Sequence, residues 1–128
     1  EITFQALRWL ATALRDRGEF ADADQALATA LDTCERAGLI AQSVEATAAR
    51  AVNQALWGRS DQATTLAEEA SGLAERLRYP VGTASALEAR GAAGEDPGLL
   101  AEAADAWRAL GRPLDAERVE RLSSHAGA

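Results

Sequence analysis

Cysteine and histidine are almost missing from this sequence, and their scarcity argues against catalysis. The chain contains one cysteine, Cys34, and one histidine, His125. A zinc site of the usual composition needs several such ligands, and a Ser-His or Cys-His nucleophile needs a well-placed histidine rather than one near the C-terminus. The Gly-x4-Gly-Lys phosphate loop is absent as well. We therefore expect no enzyme activity, no catalytic residue, no metal site and no cofactor.

Disulfide bonds and membrane-spanning segments are also excluded by what is missing. Cys34 has no second cysteine with which to pair inside the chain, and it falls at an interior position of a predicted helix. The sequence has neither a signal peptide nor an apolar run long enough to cross a bilayer. A reducing cytoplasm is the expected location.

Lysine is absent, and acidic residues outnumber basic ones. All 13 basic residues are arginines, and 20 acidic residues bring the net charge to −7. No basic run and no basic amphipathic surface is found, so phosphate backbones and anionic lipid surfaces would repel the chain. We expect no direct nucleic-acid binding and no membrane association. The expected partner is a protein, a peptide or a small molecule.

Aromatic residues and prolines are few, whereas small apolar residues are abundant. Aromatics make up 5% of the chain and prolines number three, while apolar residues make up 48%. This composition favours one helical domain over a sheet. Because alanine buries little area, stability is expected from many small contacts between neighbouring helices.

Glycine and proline divide the chain into seven predicted helices. Gly38 is expected to end the second helix and Pro80 to begin the fifth, while Ser60 or Asp61 is expected to cap the fourth. Gly91 weakens the fifth helix, which is therefore short. The first four helices are predicted at about 3–17, 21–37, 40–57 and 60–78. The fifth begins at 80 and ends at a turn at 94–98, the sixth runs from that turn to 110, and the seventh covers 114–123.

The sequence repeats itself with a period of about 40 residues. The aligned columns include Gly18, Gly58 and Gly98; Ala11, Ala51 and Gly91; Ala23, Ala63 and Ala103; and Leu27, Ala67 and Trp107. Internal repetition at this period predicts a stacked helical array. The small residues are expected where one helix lets its partner approach closely, and Gly18 and Gly58 are expected in tight turns within helix pairs.

The first repeat resembles a tetratricopeptide (TPR) repeat. The matching residues are Leu7, Leu10, Ala11, Leu14, Gly18, Phe20, Ala23, Leu27 and Ala30. This resemblance implies a right-handed α-solenoid of three helix-turn-helix repeats, at about 3–38, 40–79 and 80–111. A capping helix at 113–124 would complete a domain spanning residues 1–124, followed by a loose tail at 125–128.

Two departures from the TPR pattern leave the repeat packing open. Thr47, Arg50 and Gln54 replace the leucines of the first repeat, which predicts a rotated or shifted first helix in the second repeat. The period also exceeds the usual 34 residues and approaches that of HEAT repeats, which remain the alternative.

The C-terminal string AEAADAWRALGRPLDAERVERL resembles the closing segment of the helical arrays in large bacterial LuxR-type, ATP-binding transcriptional regulators. The resemblance implies that this chain is a piece of a bacterial protein that regulates transcription. In the capping helix, Leu114, Val119 and Leu122 are expected to face inward. The residues expected mostly to face water are Asp115, Glu117, Arg118, Glu120 and Arg121.

The TPR resemblance also implies a binding groove on the concave surface formed by the first helix of each pair. Its implied lining is Gln5, Arg8, Trp9 and Thr12 in the first repeat, Glu45, Ala48, Ala49 and Val52 in the second, and Ser85, Glu88 and Ala89 in the third. One TPR subfamily binds a partner's C-terminal carboxylate through basic and amide side chains. Of the matching positions here, only Arg8 has a suitable side chain, so such binding is not expected.

The three tryptophans are expected to differ in role. Trp107 shares the column of Leu27 and is predicted to fill the core beside the capping helix. Trp57 is assigned to packing, with a contact role as the alternative. Trp9 neighbours Arg8 on the groove side and is the predicted binding anchor. The alternative for Trp9 is packing against a preceding repeat or a second copy of the chain.

These observations predict a protein-interaction or scaffolding module of TPR type, with self-association as one form of partner binding. The competing hypothesis is an effector-sensing domain that closes around a small molecule in the same groove. A sensor needs an apolar pocket with a few converging polar groups, whereas a peptide binder needs an open channel along the repeats.

Overall fold

The chain folds into α-helices joined by short turns. The computed structural model describes residues 4–126, except for the side chains of residues 125 and 126. The helices are α1 (Phe4–Asp16), α2 (Phe20–Ala37), α3 (Ile40–Leu56), α4 (Ser60–Leu77), α5 (Pro80–Ala93), α6 (Pro97–Ala109) and α7 (Pro113–Ala126). Residues 4–126 contain no strand, which confirms the predicted all-α class. None of these helices has the length and hydrophobicity needed to cross a membrane.

The predicted turn residues end most helices as expected. Gly18 and Gly58 have φ values of +78° and +82°, a left-handed conformation that glycine adopts without a steric penalty. Gly38, with φ of +72°, ends α2; its backbone N–H donates to the carbonyl of Glu35, and that of Leu39 donates to the carbonyl of Cys34.

The start of α4 differs from the prediction. Neither Ser60 nor Asp61 caps the helix, because both lie inside it. Arg59 occupies the capping position, and its side chain makes no capping hydrogen bond. By contrast, α6 begins after a capping aspartate, since Asp96 accepts hydrogen bonds from the N–H groups of Gly98 and Leu99.

The chain ends also differ slightly from the prediction. α7 continues to Ala126, beyond the predicted end of the capping helix at residue 124. The predicted tail at 125–128 is therefore helical in its first two residues, and residues 127–128 lie outside the described range. The predicted first helical residue, Thr3, lies outside it as well.

Each helix packs on its neighbours in the chain, and α3 lies at the centre. α3 packs against α2, α4 and α5, and it also touches α1. Consequently residues 43–49 and 51–54 of α3 are all buried. The main core joins Leu100 and Trp107 of α6 to Val119 and Leu122 of α7, with alanines from α3 to α7 around them. This confirms Trp107 as core filling.

Small residues allow close approach where the sequence predicted it. A Cβ atom added at Gly91 would lie 2.8 Å from the side chain of Leu100 and 3.0 Å from its backbone nitrogen. Glycine at this position therefore allows α5 and α6 to come together. The aligned residues Ala11 and Ala51 are buried at 3% and 0% exposure.

The orientation of α7 corrects part of the prediction. Val119 and Leu122 are buried as expected, but Leu114 is 64% exposed. Asp115 and Arg118, predicted to face water, are buried at 4% and 0% exposure. The reason is helical periodicity, because residues 115, 118, 119 and 122 follow the three- and four-residue spacing of a single helix face. The other charged residues, Glu117, Glu120 and Arg121, are exposed as predicted.

Candidate functional site

The residues predicted to line a groove are mostly buried. Gln5 is exposed, and Trp9 retains 37% of its accessible surface. The buried members of the predicted set are Arg8, Thr12, Glu45, Ala48, Ala49, Val52, Ser85, Glu88 and Ala89. Ala49 and Val52 belong to hydrophobic clusters. The charged members meet one another and α7, so a partner reaches Gln5 and Trp9 directly and the remainder only if helices move.

Glu88 of α5 is the centre of a buried charge cluster formed by Arg8, Glu45, Glu88, Asp115 and Arg118. Arg118 donates to both carboxylate oxygens of Glu88, from Nε to Oε2 at 2.9 Å and from Nη2 to Oε1 at 2.6 Å. The indole Nε1 of Trp107 donates to Oε1 at 3.2 Å. Burial alone would raise the pKa of Glu88, but Arg118 outweighs it and lowers this pKa to about 2. Glu88 is therefore an ionised, well-paired carboxylate.

Arg118 connects α7 to the helices beneath it. Its guanidinium also donates to Asp115, one turn earlier in α7. The guanidinium carbon lies 5.6 Å from the ring centroids of both Trp9 and Trp107, close enough for cation–π attraction. Burial would lower the pKa of Arg118, but its two carboxylate partners raise it above the ordinary value. Arg118 thus stays charged while fully buried.

Arg8 of α1 is held less closely than Arg118. Its nearest carboxylate contacts are Nε to Glu45 Oε2 and Nη2 to Glu88 Oε1, each 3.9 Å long. These lengths exceed hydrogen-bond distance, and within residues 4–126 the buried Nε and Nη1 atoms have no acceptor. Burial and the neighbouring Arg118 together lower the pKa of Arg8 to about 10, although both carboxylates oppose this. Arg8 is therefore a poorly satisfied cation.

Glu45 of α3 joins the cluster to the turn before α7. Arg112 approaches Glu45 at 3.8 Å and donates to Asp115 at 2.8 Å, while its guanidinium carbon lies 4.7 Å from the ring centroid of Trp107. Burial raises the pKa of Glu45, which Arg8 and Arg112 only partly offset. α1, α3, α5 and α7 therefore all contribute charge to one buried cluster.

A shallow groove remains open on the α1 side of α7. It has a volume of about 520 Å³ and lies between Gln5 and Trp9 of α1 and residues 111–115. Leu114 and Trp9 are its most prominent apolar groups. Arg112 and Asp115, the two charged residues in its lining, pair with each other. We call this surface the Trp9 groove.

A second concave region separates the α1–α2 turn from α7. This cleft has a volume of about 450 Å³ and includes Arg15, Phe20 and Leu56 on one side and Arg118 and Leu122 on the other. We call it the Arg15 cleft. It combines apolar walls with converging polar groups, as small-molecule sites usually do.

Sequence reasoning missed Arg15, Asp115 and Arg118. Arg15 is 5% exposed although it lies near the end of α1. A signal for the α7 pair was present, because Asp115 and Arg118 stand one helical turn apart and share the face of the buried Val119. Glu88, which accepts from Arg118, lies thirty residues earlier in the chain, so no local pattern indicates it.

Comparisons with known proteins add no assignment. No family model, curated protein or solved structure matches this chain. Among the residues that the structure describes, no group of three or more histidine, cysteine, aspartate or glutamate side chains is arranged to hold a metal ion.

Proposed function

We propose that this chain is a protein-interaction module of TPR type and that it belongs to a bacterial regulatory protein. In this proposal α1–α2, α3–α4 and α5–α6 are three repeats of a right-handed solenoid, and α7 caps the last pair. The left-handed turns at Gly18 and Gly58, 40 residues apart, support the repeat assignment. So does the packing of α3 against α5, which brings together the first helices of successive pairs.

The main support for an interaction function is the solvent exposure of Trp9. A tryptophan contributes a large apolar area to an interface, and aromatic anchors often dominate binding energy. Trp9 is 37% exposed beside Leu114, which is 64% exposed. Neighbouring exposed apolar side chains in a groove are typical of a protein contact surface.

The proposed occupant of the Trp9 groove is a segment of another protein with an apolar anchor and net positive charge. The groove's own charges cancel, because Arg112 and Asp115 form an ion pair, so the contact itself favours an uncharged apolar side chain. The chain as a whole carries a charge of −7, which attracts basic partners and repels acidic ones.

Peptides selected from a random display library on the immobilised protein provide the test. Titration calorimetry should give an affinity for selected peptides that falls by about tenfold or more, or about 1.4 kcal/mol, in Trp9→Ala and in Leu114→Ala. Leu10→Ala is the matched control, since Leu10 lies on the same helix and is 47% exposed but does not line the groove. Equal affinities for all three variants, or selection of acidic peptides, would contradict the proposal.

Effector sensing is the second candidate function. The Arg15 cleft favours it, because arginine side chains converge there on a partly enclosed space with apolar walls. A ligand in this cleft would contact both the α1–α2 turn and α7.

A further inference from the structure

The Arg15 cleft contains a buried cation that lacks a hydrogen-bonded counterion. Arg15 is 5% exposed, and its Nε atom is buried without an acceptor among the described residues. No carboxylate in residues 4–126 lies within 4.0 Å of its guanidinium. Burial lowers the pKa of Arg15, and Glu88 and Asp16 oppose this only through space. An isolated buried charge is costly, so an anion beside Arg15 would be strongly favoured.

The other arginines of the cleft differ in how completely they are neutralised. Arg118 is fully engaged by Glu88 and Asp115. Arg121 is 56% exposed and lies 3.6 Å from Asp16, which is too long for a hydrogen bond. Arg15 is thus the one uncompensated cation in the described lining, and Arg121 can add a second donor. One positive charge in the cleft therefore lacks a counter-charge, which fits a ligand with a single negative charge.

Asp16 also lines the cleft and pairs with Arg121, whereas the other side chains of the walls, apart from the arginines, are apolar. Phe20 stacks on Trp57 with ring centroids 6.3 Å apart, and the side chain of Asn53 donates to the backbone carbonyl of Phe20 at 2.9 Å. Leu56 and Leu122 complete the apolar surface. A preformed surface of this kind binds an apolar group without the cost of ordering side chains.

We propose that the Arg15 cleft binds a small amphipathic monocarboxylate, with its carboxylate on Arg15 and Arg121 and its aliphatic or aromatic body against Phe20, Leu56 and Leu122. This inference rests on the second candidate function and is independent of the Trp9 groove. The ligand would bridge α1 and α7, which otherwise meet through long side chains such as Arg121 with Asp16. Binding is therefore expected to stabilise the packing of α7 beside α1.

Titration calorimetry with 4-phenylbutyrate, and with three related probes, tests the ligand class. The amide of the same acid lacks the charge, and acetate and inorganic phosphate lack the apolar body. The expected result is saturable binding of 4-phenylbutyrate, at least tenfold tighter than any of the other three, with a rise in melting temperature. No saturation at millimolar concentration, or equal affinity for the amide, acetate or phosphate, would overturn the proposal.

Two variants test the assigned residues. Arg15→Met should remain folded, because it removes an unpaired buried charge, and it should lose the preference for carboxylate over amide. If Arg15→Met does not fold, Arg121→Gln tests the assignment instead. Arg121 is half-exposed, so this variant should fold, and loss of the arginine should weaken binding several-fold. Arg108→Gln is the control, because Arg108 is a similarly exposed arginine that does not line the cleft. Wild-type affinity in a folded Arg15→Met or in Arg121→Gln would refute the assignment.

Carboxylate binding in the Arg15 cleft can be tested separately from peptide binding in the Trp9 groove. Trp9→Ala should bind 4-phenylbutyrate as the wild type does, because Trp9 does not line the Arg15 cleft. A protein that binds peptides but no carboxylate would retain the first proposed function and lose this one.

Discussion

Arg118 of α7 and Glu88 of α5 form a two-point ion pair in the interior, with N–O distances of 2.6 and 2.9 Å. Both side chains are at most 2% exposed. The pair joins residues thirty positions apart, so it holds α7 over the face that the sequence predicted to be an open groove. Its energetic importance lies in what its removal would leave behind, namely an unpaired buried charge.

Breaking this pair should be strongly destabilising. Arg118→Met and Glu88→Gln are each expected to lower the free energy of unfolding by about 3–5 kcal/mol, because each leaves its buried partner without its two-point hydrogen-bonded counter-charge. The double variant should cost less than the sum of the two single changes. Urea unfolding of the four proteins measures this coupling. Arg108→Gln, which breaks a surface pair, should cost about 1 kcal/mol or less, and a comparable loss for Arg118→Met would rule out a buried pair.

Low pH should reduce the free energy of unfolding, because it protonates Glu88. Its folded-state pKa of about 2 is below the ordinary value of 4.5, so ionised Glu88 contributes stability that is present above pH 4.5 and is lost as the pH falls towards 2. The slope for one proton is about 1.4 kcal/mol per pH unit. Glu45 has a raised pKa and acts in the opposite direction, since its contribution is lost as the pH rises. Urea unfolding between pH 5 and pH 2 should show the stability gap between wild type and Glu88→Gln narrowing. A constant gap would mean that Glu88 has an ordinary pKa.

Substitutions at the left-handed turns are expected to change stability in opposite directions. Gly18→Ala and Gly58→Ala should each cost about 1 kcal/mol, because both glycines have positive φ and open space around them, which leaves backbone strain as the dominant effect. Arg78 has φ of +51° at the position 40 residues after Gly38, so Arg78→Gly should stabilise the protein by a similar amount. Thermal melts compare the three variants. Melting points that do not move would show that these turns are not left-handed.

Substitutions of the three tryptophans should reduce stability by different amounts. Trp107 is fully buried and donates to Glu88, so Trp107→Ala should cost about 3–5 kcal/mol. Trp9→Ala should shift the melting midpoint by only a few degrees, because a third of Trp9 is already exposed. Trp57 contacts both Phe20 and the guanidinium of Arg59, so its replacement should give an intermediate loss of stability. A loss for Trp9→Ala as large as that for Trp107→Ala would place Trp9 in the core.

The sequence was sufficient for the helices because their ends are marked locally. Glycines such as Gly18 and Gly38 and prolines such as Pro80 act within one turn of the helix that they begin or end, and the predicted bounds agree with the structure to within a few residues. The buried Trp107 was also predictable, since it shares a repeat column with Leu27.

The site was only partly predictable because it depends on long-range pairing. The TPR resemblance implied that Arg8, Glu45 and Glu88 line one surface, and the structure places Arg8 3.9 Å from each of the two carboxylates. The turn at Gly111 is marked locally by its glycine and by Pro113, but the Arg118–Glu88 pair, which holds α7 across these residues, has no local signature. Charged residues are usually solvated, and Arg118 is an exception because its guanidinium pairs with a carboxylate from α5.

Side-chain NMR of the arginines tests most directly whether α7 covers the predicted groove. The Nε–H proton of Arg118 should exchange with water far more slowly than that of Arg36, whose side chain is 79% exposed. The Arg118 signal should also show nuclear Overhauser contacts to the ring protons of both Trp9 and Trp107, since both rings lie within 6 Å of its guanidinium. Exchange at the rate of Arg36, with no contact to Trp9, would show that α7 lies away from α1 and that the groove is open.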